Sequence, residues 1–527
     1  MVSEDGGIIF TVTQQEALEI LKTGASVFLT GEPGSGKTHL INTYVRYLRE
    51  RGIEPAITAS TGIAATHISG RTIHSWSGIG IKRSLFKNDL EKLFHNRFVR
   101  RRIEQAKILI IEEISMLSAS ALAMVDTVCR MIRGDEQPFG GLQTVLVGDF
   151  FQLPPVSAEG EALASFAFES EVWQKLDPTV CYLTEQFRQD DPIFLSVLTS
   201  IRTGQCGVEH QSHLQSRVNS RHAVRSDLPR LFSHNADVDV INAKELAKLP
   251  SEVCEFIMSS SGSRKYAETL MRGCLSPENL KLKIGAAVMC TKNNPEQGFI
   301  NGTLGVVTRF EKDSGYPVMR TQSKQEILVE PLEWTMEEDG KVTARITQIP
   351  LRLAWAMTIH KSQGMTMDGA VIDLSAAFEF GQGYVALSRV RRLSGLYLLG
   401  FNERALQVHP NVFSRDAIFR ECSKQAVLAL EKVSMGELEK QQQNFVRYCG
   451  GKNRVSESVE PITRSKSWLD NQRTKHVNAY QPWNKEDDDL LATLYRTGTK
   501  VPELVTFFKR NAGAIHSRLK KLGFTEK

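Results

Sequence analysis

At 527 residues the chain is too long for one ordinary core, and roughly three to five folding units are expected. Charged residues make up 24% and hydrophobic residues 41%, a soluble globular balance that excludes a fibrous or disordered chain, and no apolar run is long enough to span a bilayer. Net charge is only +5, so a polyanionic partner would have to be held by local clusters of Lys and Arg, not by a global field.

The eight cysteines form no C-x-x-C pair, which removes zinc-ligand and redox spacing and suits reduced thiols. Met1 to Gly7 is acidic and polar, unlike a secretory signal or an organelle presequence, so a cytoplasmic location is expected, with the nucleoid if the source is prokaryotic.

From about residue 10 to residue 180, short apolar runs alternate with helical patterns. Val27-Phe28-Leu29 is followed by Leu40, Ile41, Tyr44, Val45 and Leu48 at helical spacing, and Gly52 stops that helix. Ala56-Ile57, Ile108 to Ile111 and Val145-Leu146-Val147 are further apolar runs, and the alternation predicts a parallel sheet covered on both faces. Residues 80–105 form a basic insertion in this lobe, and its Arg97 to Arg102 cluster reads as a solvated helix face before a strand-separating wedge.

A second α/β lobe begins near Tyr182, with Leu231-Phe232, Ala370 to Leu374 and Leu396 to Leu399 as strands. The stretch from Gly285 to Arg345 is glycine-punctuated and β-rich, which predicts a small antiparallel barrel inserted in that lobe. The expected organisation is 1–180, then 181–284 and 350–446 around an insertion at 285–349, a polar linker at 447–480, and a small all-α module at 481–527.

Gly31-Glu32-Pro33-Gly34-Ser35-Gly36-Lys37-Thr38 fits the pattern G-x-x-x-x-G-K-[ST] between an apolar strand and an amphipathic helix. Gly31, Gly34, Ser35 and Gly36 let backbone N–H groups curl around a triphosphate at the positive end of the helix. Lys37 is placed to reach the β- and γ-phosphates of ATP, and Thr38 to ligate Mg²⁺. The buried strand Ile108 to Ile111 ends in Glu112-Glu113. Glu112 is assigned to the metal and Glu113 to the attacking water, a pairing that suits hydrolysis better than transfer to a small acceptor.

With these elements the chain resembles the Pif1 family of DNA helicases, in the superfamily-one branch that also contains RecD. The resemblance covers about residues 10–401 and rests on ordered motifs. They are Thr13-Gln14; Thr58 to Ala65, then Gly70 and Thr72 to Ser75; Ile114 to Leu117; Pro138 to Gly141; Gly148 to Pro155; Leu183 to Gln189; Ala354 to Thr366; and Gln382 to Arg389. It implies two RecA-like lobes with ATP between them. Gln14 would read adenine, Gln152 would sense the γ-phosphate, Arg188 and Arg389 would reach it across the cleft, and Gly364 would lie against the nucleotide. Ser60, Thr61, Gly62, His74, Ser75, His360 and Lys361 would contact single-stranded DNA, and Trp76 suits either core packing or stacking on a base. The implied activity is 5′-to-3′ unwinding of forked or structured DNA in replication, repair or recombination, with telomere or G-quadruplex maintenance among the roles open to it. One departure is Glu112, where the family usually has Asp. A nucleotide kinase would not explain a second lobe carrying arginines, whereas an ATP-dependent clamp would hydrolyse ATP without separating strands.

After Pro482, Trp483, Leu490, Leu491, Leu494 and Tyr495 predict one amphipathic helix, and Val501, Leu504, Val505 and Phe508 a second. Asn511 is placed to cap a third that holds Ala514, Ile515, Leu519 and Leu522. Lys509, Arg510, His516, Arg518, Lys520 and Lys521 make its end basic, as in Myb-type or helix-turn-helix modules that bind duplex DNA. Docking on the rest of the chain or on a partner protein is the alternative.

Overall fold

The computed structural model describes residues 12–67, 71–80, 82–155, 164–218, 228–294, 296–299, 301–321, 324–338, 341–452 and 485–496, with single residues beyond. The chain divides into two units, Met1–Asn453 and Arg454–Lys527.

The first lobe of the larger unit is built on six parallel strands: β1 (Val27–Gly31), β2 (Ala56–Ala59), β3 (Arg71–Thr72), β4 (Ile108–Glu112), β5 (Gln143–Val147) and β6 (Thr179–Leu183). Their order is β3-β2-β4-β5-β1-β6, so the sequence runs out to one edge and returns to the other. Every residue of β1, β4 and β5 is buried, because helices cover both faces. Successive side chains feed opposite cores. Val27 and Leu29 pack with Leu21, Leu40, Tyr44 and Leu48, whereas Phe28 packs with Leu122, Val125 and Trp173 on the other face. All five residues of β6 pair with β1, so this sheet continues to Leu183 and a boundary at 180 would cut through a strand.

The same sheet also takes helices from the far end of the unit. Pro410–Glu431 and Met435–Tyr448 were expected in the second lobe, yet both pack on the first. Phe419 lies 4.9 Å from Phe28 and 6.1 Å from Phe150 and Trp173, ring centre to ring centre. Tyr182 N donates to Ser423 Oγ at 3.0 Å, and Val427 and Val446 join the core of Leu21 and Leu29. The sheet face beside edge strand β6 needs an apolar cover, and Phe419 supplies part of it together with Phe150, Phe168 and Trp173. Phe419→Ala is therefore expected to cost about 3–5 kcal/mol of first-lobe stability in denaturant unfolding. A loss under about 1 kcal/mol, the size of an exposed-site change, would contradict this packing.

In the basic insertion, helices Lys87–His95 and Arg97–Gln105 bury Leu93, Val99 and Ile103 against the lobe. Arg100 faces outward, paired with Glu104 at 2.7 Å.

The second lobe has four parallel strands in the order Ala356–Thr358, Arg230–Phe232, Ala370–Leu374, Leu396–Phe401. Between its first and second strands in sequence lies the antiparallel region. Five strands between Ala287 and Leu353 form one sheet, Lys341–Gln348 pairs with Leu332–Glu338 on one side and with Ser259–Gly262 on the other, and Asn279–Leu282 pairs with Cys254–Ile257. Leu280, Leu282, Val288, Val307, Met319 and Trp355 share a core of their own. Antiparallel pairing thus begins at Cys254, well before Gly285.

In the second unit the helix Lys485–Arg496 buries Leu491 and leaves Leu490 exposed, and Leu504 and Phe508 are buried. Trp483, Val501, Val505, Asn511, Ala514, Ile515, Leu519 and Leu522, with the linker from 453 onward and Gly70, lie outside the described residues. Among the described residues no helix is long and apolar enough to cross a membrane.

Candidate functional site

The glycine-rich loop leaves β1 and enters the helix Lys37–Arg49, with Gly34 at φ 93° and Gly36 at φ 86°. Side chains would be strained there and would also collide. A Cβ on Gly34 would stand 2.5 Å from Arg188 Cβ, and one on Gly36 2.2 Å from Gln14 Nε2. The loop is thus clasped by Gln14 on one side and by the 186–188 segment on the other. Thr13 caps the helix Gln14–Lys22 in a capping box with Glu16, and Gln14 Nε2 donates to Ser35 O at 3.3 Å. Phe187 N donates to Gly34 O at 3.0 Å, and Gln186 Nε2 to Glu32 Oε2 at 2.9 Å. Lys37 Nζ curls back to Gly31 O at 2.7 Å and Glu32 O at 3.0 Å. Burial brings its pKa down to about 8, opposed chiefly by Asp149 and Glu113.

Glu112 ends β4 at 7% exposure. Burial and then neighbouring Glu113 push its carboxyl up to about 8, and Glu112 Oε1 has no hydrogen-bond partner among the described residues. Glu113 follows in the left-handed region at φ 55°, ψ 47°, a costly conformation for a glutamate that turns it into the cleft. Burial raises its pKa as well, countered by Lys37 and Arg389. Gln363 Nε2, from the second lobe, donates to Glu113 Oε2 at 3.0 Å.

Arg188, a few residues past β6, and Arg389, just past the helix Gln382–Leu387, approach each other at Ser388. Arg188 Nη1 donates to Ser388 O at 3.3 Å. Arg389 is 1% exposed and is held by Val385 O at 2.9 Å and Ser388 Oγ at 2.8 Å. Burial, then the charge of Arg188, bring Arg389 down to about 9. Burial lowers the pKa of Arg188 too, opposed chiefly by Glu113.

A cavity of about 850 Å³ opens between the lobes, lined by Thr38, Thr61, Glu112, Glu113, His360 and Gln363, with Gly364 beside them. A second, of about 650 Å³, is lined by Thr72, His74, Ser75, Phe98, Arg102 and Tyr266. His360 Nε2 stands 3.3 Å from Glu379 Oε2, and Lys361 is half-buried and shifted down by that burial.

The family-model comparison matches "PIF1-like helicase" over residues 4–211 and "DNA helicase Pif1, 2B domain" over residues 265–310. A relative from Psychrobacter, "ATP-dependent DNA helicase Pif1", is 40% identical over 88% of this chain and 81% of its own length. The chain belongs to the Pif1-like helicase family. Among solved structures, that of Bacteroides sp Pif1 in complex with ADP-AlF4 is 30% identical with TM-score 0.67, over 79% of this chain and 99% of that one. The Bacteroides Pif1 helicase in complex with ADP-AlF3 and ssDNA is 30% identical with TM-score 0.58, over 79% and 99%.

Within this Pif1-like site, Ser60 differs from the expectation and Trp76 takes one of the two roles open to it. Ser60 is 7% exposed, its hydroxyl donates to Glu113 O at 2.7 Å, and its N–H donates to Glu112 O at 3.1 Å. It is a strut under the acids, not an open phosphate donor. Trp76 is 4% exposed and packs with Ile73 and Ile103, so core packing is its role. Thr61 Oγ1 accepts from Ala64 N at 3.2 Å and caps the helix Gly62–His67. Three residues were not singled out from sequence: Gln363, Asp149 and Arg202. The first two stand inside quoted motifs. Arg202 carries no local signal beyond closing an apolar helix.

Proposed function

We propose that this chain is an ATP-dependent DNA helicase that moves 5′ to 3′ along single-stranded DNA and opens duplex ahead of it. The observation that carries the reading is Glu113. It shares one cavity with Thr38, Thr61 and His360, is bonded across the cleft by Gln363, and rests through its carbonyl on Ser60. The group expected to position the attacking water is thereby wired to both candidate strand-contact loops. A change at the γ-phosphate can then move those loops, and a strand seated on them can alter the geometry of hydrolysis.

In this reading Lys37 neutralises the β- and γ-phosphates, Gln14 orients the base, Gln152 senses the terminal phosphate, and Arg188 and Arg389 stabilise transition-state charge from the opposite side. Lobe closure with ATP and opening after hydrolysis would alternate the grip of Thr61 and Gly62 against His360 and Lys361, with His74 and Ser75 along the track. Among the described residues no three His, Cys, Asp or Glu side chains gather into a metal cage. Mg²⁺ at such sites is usually bound through one or two protein ligands and the substrate's own phosphates. Thr38 and the unpartnered Glu112 Oε1 are the groups that would hold it, and when bound it would supply charge neutralisation at the phosphates.

The Bacteroides relative's complex with ssDNA supports DNA as the track, and the Psychrobacter relative, an ATP-dependent DNA helicase, supports the activity; a role in replication, repair or recombination belongs to the same reading. The antiparallel region is read as a small barrel that helps hold forked or structured DNA. The C-terminal module is read as a small helical unit for duplex DNA or a partner protein, in a cytoplasmic or nucleoid setting. Strand displacement on duplexes with opposite single-stranded tails tests the proposal.

A further inference from the structure

A buried ion pair with both partners at 2% exposure or less lies outside the phosphate loop. Arg202, the last residue of the helix Pro192–Arg202, is 2% exposed, and Asp149, two residues past β5, is fully buried. Arg202 Nη1 donates to both carboxylate oxygens of Asp149, at 2.9 and 2.8 Å, and to the Tyr384 hydroxyl at 3.0 Å. Its Nη2 donates to the Tyr182 hydroxyl at 2.7 Å, and the guanidinium lies 4.0 Å from the centre of the Phe151 ring. Arg202 Nε has no hydrogen-bond partner among the described residues. A buried ion pair repays its desolvation only when its geometry is excellent and every polar atom is satisfied, so this one is a poor device for stability alone.

Its connections point to another use. On one side Asp149 Oδ2 accepts from Gln152 Nε2 at 3.4 Å and Asp149 Oδ1 from Phe151 N at 3.2 Å, which fixes the loop carrying Gln152. On the other side Tyr384 stands on the helix Gln382–Leu387, and Ser388 N, next to Arg389, donates to Tyr384 O at 3.0 Å. The start of the Arg202 helix is tied to the same segment. Gln189 Nε2 donates to Ser388 O at 3.0 Å, and Asp191, its N-cap, accepts from Leu393 N at 3.0 Å. An 11-residue helix, roughly 16 Å long by its rise, is thus pinned at both ends to the segment bearing Arg389. Through Arg202 alone it is pinned to the loop bearing Gln152.

We propose that Arg202, with Asp149 and Tyr384, is a positioning device that holds Gln152 and Arg389 in register across the cleft, so that both engage the same terminal phosphate together. The inference rests on the reading of the chain as an ATP-driven motor. None of the three touches substrate; each acts through a neighbour. Asp149 also raises the Lys37 pKa through space and Arg202 lowers it, both against the larger effect of burial.

Tyr384→Phe removes one hydroxyl and keeps the ring. On the full chain, DNA-stimulated ATP turnover, KM for ATP and the thermal midpoint are measured together. The expected result is a kcat about tenfold lower, because a hydrogen bond to a charged group is lost. KM for ATP is expected within about twofold of the parent and the midpoint unchanged, the pattern of an interaction realised in the transition state. Arg202→Lys keeps the charge and loses the two-armed fork, and should lower kcat further in the same pattern. An unchanged kcat in both variants overturns the proposal. So does a fall in kcat that tracks a lowered midpoint and recovers on cooling, which is the mark of a packing role. A parent chain without DNA-stimulated turnover fails at the motor reading instead and takes this inference with it.

Discussion

Lys37→Ala lowers ATP turnover by roughly 10²–10³-fold, the loss expected when one preorganised donor to a developing charge is removed, and leaves DNA binding without nucleotide near the parent level. Lys37 Nζ is held at 2.7 Å by Gly31 O and 3.0 Å by Glu32 O, inside the phosphate loop and on the nucleotide side of the lobe. None of its partners belongs to the candidate strand contacts. The variant should fold, because burial is what brings the lysine's pKa down to about 8, and alanine removes an ammonium that is costly to keep there. Turnover is read by phosphate release at saturating single strand, and binding by fluorescence anisotropy. Near-normal turnover would remove the phosphate-loop assignment. Loss of DNA binding in the absence of nucleotide would place Lys37 in the strand site instead.

Glu113→Gln is expected to bind ATP and hold it unhydrolysed, with turnover down by roughly 10²–10⁴-fold, the range for loss of a general base. The substitution is isosteric, keeps the left-handed backbone as it is, and leaves an amide that can still pair with Gln363. It removes one negative charge beside a polyphosphate, so ATP affinity should hold or rise. Glu112→Asp should be mild by comparison, since it retains the charge and restores the residue usual in this family. If Glu112→Gln stops chemistry while Glu113→Gln turns over, the metal-holding and water-positioning roles are reversed.

The parts of this site that could be read in the sequence are those whose geometry is set by neighbours in the chain. The phosphate loop, the acids at the end of β4 and the glutamine after β5 each follow a buried strand, and a parallel sheet delivers such strand ends to one edge. The Asp149–Arg202–Tyr384 contact spans 53 and then 182 residues. Nothing local distinguishes Arg202 from a basic residue that simply ends an amphipathic helix. Ser60 failed for the opposite reason. Its residue type suits a phosphate contact, but its burial under Glu113 is a tertiary fact. The early start of the antiparallel region was hidden because Ser259-Ser260-Ser261-Gly262 pairs in a sheet with every side chain exposed and carries no apolar alternation. The helices Pro410–Glu431 and Met435–Tyr448 follow the second lobe in sequence but cover the first, and chain order gives no hint of that return.

Strand displacement on duplexes bearing a 5′ or a 3′ single-stranded tail tests the central claim most directly. The account predicts ATP-dependent unwinding from the 5′ tail, none without ATP, and none by Lys37→Ala. Unwinding from the 3′ tail alone would contradict the direction of travel. Hydrolysis stimulated by single strand with no displacement from either tail would make the chain an ATP-dependent clamp, not a helicase.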